Sequence, residues 1–299
     1  MNRTSNGKLI LLRLLAIVCV SFFSFGASLS SFQSKTNATD DLVRQLIEKF
    51  TDEDKKGIVV MDLEPATGQT SSFGAWVADQ FSTSLAATGK PIEVIDRSRL
   101  AAALATQHLS LASQSDARVT IEVGKSIGAK TVIVGSYGAA ENGIGVSVAA
   151  VRVSEYGVAS SKKVTIGIVV GKIPLTQEVS AHLNVPVDSL RPKDSIYKAG
   201  YGGVSIPSCI KCTMTGMHVP DIDLQGMLSA HPNGGTVVLR FIVTPEGHTK
   251  DITVIQPIGY GYDEQYMKMA ESWEFKPAVD ADNKPVSVLF PFTITFNYK

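Results

Sequence analysis

The chain changes its hydrophobic period several times, and those changes set out two domains. Residues 39–50 repeat apolar positions at helical spacing, with Leu42, Leu46 and Ile47 on one stripe. Gly57–Leu63 (GIVVMDL) is a short continuous apolar run that reads as a buried strand, closed by a Pro65/Gly68 turn. Ser72–Ala87 returns to the helical period through Phe73, Trp76, Val77, Phe81 and Leu85. A strand over Ile92–Ile95 and an Ala-rich helix over Ser98–Leu109 follow, then a helix capped by Asp116 and reaching Ile127. Three strands end this part, Thr131–Tyr137, Gly145–Val153 and Lys163–Val170. The order β-α-β-α-α-β-β-β predicts a mixed-sheet α/β sandwich over residues 39–183, with helices on one face or both. Pro174–His182 predicts a short closing helix. Residues 184–206 read as a linker, Pro-punctuated to Asp194 and Gly-rich over Tyr197–Pro207.

From Gly235 the period shortens again. Thr236–Val243 and Thr249–Ile255 are β-rich strands, separated by Thr244-Pro245-Glu246-Gly247, a turn with proline where φ is fixed and glycine where φ is positive. Asp263 is placed to cap a short helix that buries Tyr266, Met269, Ala270 and Trp273, and Pro277 lies past its end. The last segment alternates: Val286, Val288, Phe290, Phe292, Ile294, Phe296 and Tyr298 point one way, while Ser287, Thr293, Thr295 and Asn297 point the other. Pro291 lies in the polar register. A proline cannot donate to two neighbouring strands, so this strand is expected at a sheet edge or carrying a bulge. The tail, residues 207–299, is thus a small ββαβ domain, and the fold class of the whole is α/β followed by α+β.

Particular residues in the tail carry a resemblance. Ala270-x-x-Trp273-x-Phe275-Lys276-Pro277-Ala278, then Lys284-Pro285-Val286 before the alternating strand, resembles the TonB C-terminal domain family. The resemblance implies that Gly247, Trp273, Phe275 and Pro277 are structural signature positions. It also implies that the module adds a short extended peptide to a sheet edge, here through Val288, Pro291, Thr293, Thr295 and Asn297. The physics agrees, because an edge strand offers unpaired N–H and C=O groups to a partner strand. In the first domain, IEVIDRSRL (Ile92–Leu100) and GKSIGAKTVIVGSY (Gly124–Tyr137) resemble the CsgG-like, FlgO-like and TolB amino-terminal domains of envelope proteins. That likeness implies contact with other proteins. The amphipathic strands of the pore-forming members are not found, so a pore is not implied.

The start of the chain bears on its compartment. Arg3, Lys8 and Arg13 precede a run of about fourteen mostly apolar residues, Leu14–Ala27, short of the ~20 that a spanning helix needs. Met1–Ser31 therefore reads as a signal peptide with a Ser28-Leu29-Ser30 cleavage site, or as a retained anchor. Val18 before Cys19 breaks the lipobox pattern, which argues against lipidation. An anchor would make the chain a TonB-type energy transducer to outer-membrane transporters. Against that reading, Leu14–Ala27 holds no histidine and no Pro-rich spacer follows.

Composition narrows the rest. A hydrophobic fraction of 44% supports real cores, and the formal net charge is zero, without basic clusters for nucleic acid. No phosphate-binding, serine-hydrolase or zinc-peptidase motif stands in its required context, so the chain reads as non-enzymatic and without cofactor. Asp62 and Glu64 share one face at a strand end and could serve acid–base or cation chemistry, though such pairs mostly cap or solvate. His108 has no nucleophile motif beside it, and Asp96-Arg97 reads as structural. With the leader removed, Cys209 and Cys212 are the only cysteines, which favours a local disulfide in an oxidising compartment. A zinc site with His218 and His231, or a thiol oxidoreductase using the C-x-x-C pair, are the alternatives. The expected partner is a protein of the envelope, an outer-membrane transporter or a second copy of the chain, with membrane contact only if the leader is retained.

Overall fold

Buried strands need both faces covered, and the first sheet shows how this chain achieves it. The computed structural model describes residues 38–67, 71–89, 91–106, 117–153, 165–213 and 223–296. Strand β1 (Ile58–Val60) sends Ile58 and Val60 into one core and Val59 into another, where Met61 joins it. This double burial is why its sequence is apolar without alternation. Helices α1 (Ala38–Ile47) and α2 (Phe73–Ala87) build the first core. Helices α3 (Arg97–Thr106) and α4 (Ala117–Ser126) pack by the second. The sheet runs β1, β3 (Thr131–Ala140), β4 (Gly143–Arg152), β5 (Thr165–Pro174), and β2 (Glu64–Pro65) also pairs with β3. β1 is parallel to β3, and β3-β4-β5 is an antiparallel meander. The mixed-sheet sandwich thus has helices on both faces.

The strand expected over Ile92–Ile95 shortens to a single bridge, Ile58 to Val94. Ile58 N–H donates to Glu93 O and Ile95 N–H to Ile58 O, but Asp96 then accepts from Ser98 N–H and starts α3. Asp116 and His108 lie outside the described residues. At the far end of the sheet, Arg152 makes a two-pronged ion pair with buried Asp54, at 2.6 and 2.8 Å. Burial pushes the Asp54 carboxyl up, but the hydrogen bonds from Arg152 and Thr51 outweigh it and hold it below its usual range.

Helix α5 (Gln177–Leu183) is capped by Thr176, whose hydroxyl accepts from Val179 N–H. The segment beyond it, expected as a linker, is built into the fold. It contains a 3-10 turn (Val187–Leu190), whose Leu190 is buried in the first core, and strand β6 (Ile196–Lys198).

The second sheet is ordered β6, β11 (Ser287–Phe296), β8 (Gly235–Val243), β9 (Thr249–Gln256). Helix α6 (Leu224–Ala230) adds buried Met227 to its core, and helix α7 (Tyr262–Ala270) adds Tyr262, Tyr266 and Ala270. The N-cap of α7 is Gly261 rather than Asp263. Asp263 sits in the first turn and accepts from Ile258 and Gly259 N–H, tying down the loop before the helix. The tail exceeds a plain ββαβ unit, because β7 (Ser208–Lys211) and β10 (Glu274–Lys276) form a separate two-stranded sheet. Their pairing accounts for the signature residues. Gly247, at φ 89°, presses on β10, where an added Cβ would stand 2.1 Å from Phe275 O. Phe275 N–H in turn donates to Gly247 O. Trp273 and Phe275 are buried against Phe241, Phe290 and Phe292.

Candidate strand-addition edge

The backbone of β11 decides what this site can do. Ala199 N–H donates to Leu289 O at 3.3 Å, so the polar backbone groups of Leu289 face β6. Strand alternation then turns those of Pro291, Thr293 and Thr295 to the same side, and those of Val288, Phe290 and Phe292 toward β8. Side chains alternate in step. Val288 and Ile294 are buried, whereas Pro291, Thr293 and Thr295 are exposed. β8 covers Val288–Phe296 on one side. On the other, β6 runs parallel and pairs only with Ser287, Val288 and Leu289. Among the described residues no strand follows β6 along Phe290–Phe296. β11 is thus an edge strand only from Phe290 onward.

This placement bears on one of the expected edge residues and leaves another untested. Val288 is fully buried and flanked by Tyr197 and Val243, so it lies outside the open edge. Asn297 lies outside the described residues. Pro291 stands where β6 pairing stops, with its missing N–H on the unpaired side. The groups left for a partner are the carbonyl of Pro291 and the N–H and C=O of Thr293 and Thr295.

What holds β6 in place went unread in the sequence. Just past it, Tyr201-Gly202-Gly203 inserts between the two modules. Gly202 N–H donates to Ser136 Oγ at 2.9 Å and Gly203 N–H to Ser147 Oγ at 3.0 Å, both bonds buried. Tyr201 Oη donates to Glu64 Oε2 at 2.7 Å. Burial and the adjacent Glu64 carboxylate push the Tyr201 phenol well above its ordinary value. The backbones meet glycine to glycine. A Cβ on Gly203, at φ 84°, would come 2.4 Å from Gly145 Cα, and one on Gly138 would come 2.7 Å from Gly202 O. The turn before β11 adds charge. Asp282 pairs with Lys172 at 2.6 Å and accepts from Glu141 N–H, while Lys284 pairs with Glu141. The Lys172 hydrogen bond holds the Asp282 carboxyl below its usual range, and Glu141 holds the Lys284 ammonium above its own. The described residues of the stretch Ala38–Lys299 belong to one compact unit.

The remaining candidates have structural partners. Asp62 pairs with Arg97, which also pairs with Asp79 at 2.6 Å, and Glu64 is taken by Tyr201. Cys209 and Cys212 are joined as a disulfide, which occupies both thiols the zinc alternative needs. His218 lies outside the described residues. β7 is a strand, so it lacks the helix N-terminus that would lower a thiol pKa for redox work. Cys212 packs against the second core, and Trp273 Nε1 donates to Thr213 O. Among the described residues no helix is long and apolar enough to cross a membrane, and no cluster of three or more metal-ligating side chains occurs.

The geometry is that of a first sheet with helices on both faces and a second sheet in which β11 is paired on one side only beyond Leu289, while β9 at the opposite end has β8 as its one strand neighbour among the described residues. Two separate stretches of the chain match known families. The family described as Gram-negative bacterial TonB protein C-terminal matches residues 230–298. The FlgO protein family matches residues 36–170. No curated protein matches the chain. Among solved structures, the LpoB C-terminal domain from Salmonella enterica is 16% identical, over 46% of this chain and 96% of that one, at a TM-score of 0.38. The corresponding Escherichia coli domain is 18% identical over 47% and 96%, at 0.35.

Proposed function

We propose that this is a non-enzymatic periplasmic protein whose TonB-like module binds an extended segment of a protein partner by strand addition along Phe290–Phe296. The observation that carries the reading is the half-paired state of β11: ladder bonds on both sides as far as Leu289, and on one side beyond it. The partner's backbone supplies most of the contact, and the exposed Thr293 and Thr295 side chains tune it. The family matches at both ends of the chain support an envelope setting.

The test uses the full mature chain as bait in envelope extract, wild type beside Thr293→Pro/Thr295→Pro. Each proline removes an N–H from the open side only, as Pro291 already does, so pairing with β8 survives and circular dichroism should be unchanged. Loss of a specific partner from the proline variant, with retention by Thr293→Val/Thr295→Val, is the expected result. Equal capture by all three forms would exclude the edge as the contact.

A further inference from the structure

We infer that β6 is a built-in strap over the binding edge, latched by the Tyr201-Gly202-Gly203 seam, and that opening the seam lengthens the available edge from Phe290–Phe296 to Ser287–Phe296. The inference rests on the strand-addition reading for its consequence, but the strap itself is a property of the chain alone.

Three features support it. First, β6 contributes only three residues to the sheet, none of them fully buried, with half-buried Tyr197 packing against the second core. A strand so short holds its place through what flanks it rather than through its own ladder. Second, both flanks are tied to the first module, and just past the seam the chain returns to the second, where Val204 is buried and Ser205 N–H donates to Val279 O. Upstream, Leu190 is buried in the first core. Downstream, the seam fixes Gly202 and Gly203 by two buried hydrogen bonds from their N–H groups to serine hydroxyls. Ala199, whose N–H makes the bond to Leu289 O, stands between β6 and that seam. Third, β6 covers Ser287 and Leu289, whose backbone groups face the same side as those of Thr293 and Thr295. Beyond Leu289, Pro291 interrupts the donors. With β6 in place, an incoming strand meets Thr293 and Thr295 as its only complete donor–acceptor pairs among the described residues. With β6 displaced, the backbone groups of Ser287 and Leu289 join them.

The latch is polar and small, which suits a releasable contact. Serine hydroxyls hold it, and Tyr201 adds one hydrogen bond to Glu64. A partner that engages the first module near Ser136 and Ser147 would therefore change the edge offered by the second. The coupling element is one chain segment with two states, β6 paired or β6 free.

The test is amide hydrogen exchange on the full mature chain, read at single residues. Ser136→Ala/Ser147→Ala removes both acceptors, and Tyr201→Phe is made separately as a milder release. In the double variant, the amides of Ala199, Gly202 and Gly203 should exchange at least about tenfold faster, as expected when two net hydrogen bonds are lost. The amides of Phe290 and Phe292, which face β8, should keep their wild-type rates. Unchanged exchange at Ala199 would overturn the strap. So would a rise shared by all of β11, because the sheet would then open as a block. This readout needs no partner, so it stands or falls apart from the proline experiment above. A partner identified there should bind the double variant more tightly than wild type. Equal affinity alongside fast Ala199 exchange would overturn the claim that the strap limits the edge.

Discussion

The two large sheets bury their strands differently, and the difference separates support from contact. In the first, β1 is covered on both faces, by α1 and α2 on one side and by α3 and α4 on the other. In the second, one face packs on Trp273 and Phe275 while the other shows Pro291, Thr293 and Thr295 to solvent. The outer strand of the first sheet is also guarded. Leu175 N–H donates to Asn142 O, which by alternation turns the backbone of Lys172 and Pro174 outward. A lysine and a proline on an edge both discourage pairing. β11 has only Pro291 for this purpose, and beyond it lie threonines, which favour a strand. On the reading proposed above, the sealed and guarded sheet would serve as a frame and the sheet with the half-open threonine edge as a receiver.

Several substitutions would break or sharpen that comparison. Trp273→Ala should have the largest effect, about 3–5 kcal/mol, by emptying the centre of the second core. If the seam joins the modules, thermal melts of this variant will show one lowered transition. Two separated transitions would mean that frame and receiver are independent. Gly203→Ala comes next. Left-handed backbone and a Cβ against Gly145 together cost roughly 2–5 kcal/mol, seen as a lower urea midpoint. Reducing the disulfide, or Cys209→Ser/Cys212→Ser, should cost about 2 kcal/mol at most, because the closed loop is tiny. A larger drop in melting temperature would assign β7 a greater share of the receiver's stability.

The smallest effect is set by pH. Asp282 has a lowered folded-state pKa, so its contribution is complete above the unfolded carboxylate value of about 4 and is lost as pH falls through the folded value. Asp282→Asn should therefore lower stability slightly at pH 7 and flatten the acid limb of the stability curve below about pH 4. A variant that tracks wild type at both ends would show that the charge clamp contributes nothing to the joint.

Much of this architecture was legible in the sequence, for identifiable reasons. The β3-β4-β5 meander, α2 and the alternating tail strand follow from hydrophobic period, because each packs one clear face. The signature around Trp273 was legible as a motif, but not as the strand β10 that it forms. Three residues before Pro277 are too few to show a period. The open edge, and Pro291 as the place where pairing can start, could be argued from the sequence, although the strand β6 that covers the rest could not. β6 is short and its partner residues lie far along the chain. The seam was least legible. Tyr201-Gly202-Gly203 has the composition of a flexible turn, and only Gly138, Gly145, Ser136 and Ser147 opposite it reveal close packing instead. Asp263 shows the same limit on a smaller scale. Its position near a helix start was right, and the N–H groups it serves are those of the loop rather than the helix.

The central claim is that a partner strand lies against Thr293 and Thr295. Site-specific photo-crosslinking in intact cells tests it most directly, with the probe at Thr295 in one strain and at Ile255, an exposed position on β9, in another. A discrete crosslinked protein from Thr295, absent from Ile255 and lost when Thr293→Pro is added, is the predicted result. The same product from Ile255, or its persistence with the proline in place, would contradict strand addition at β11.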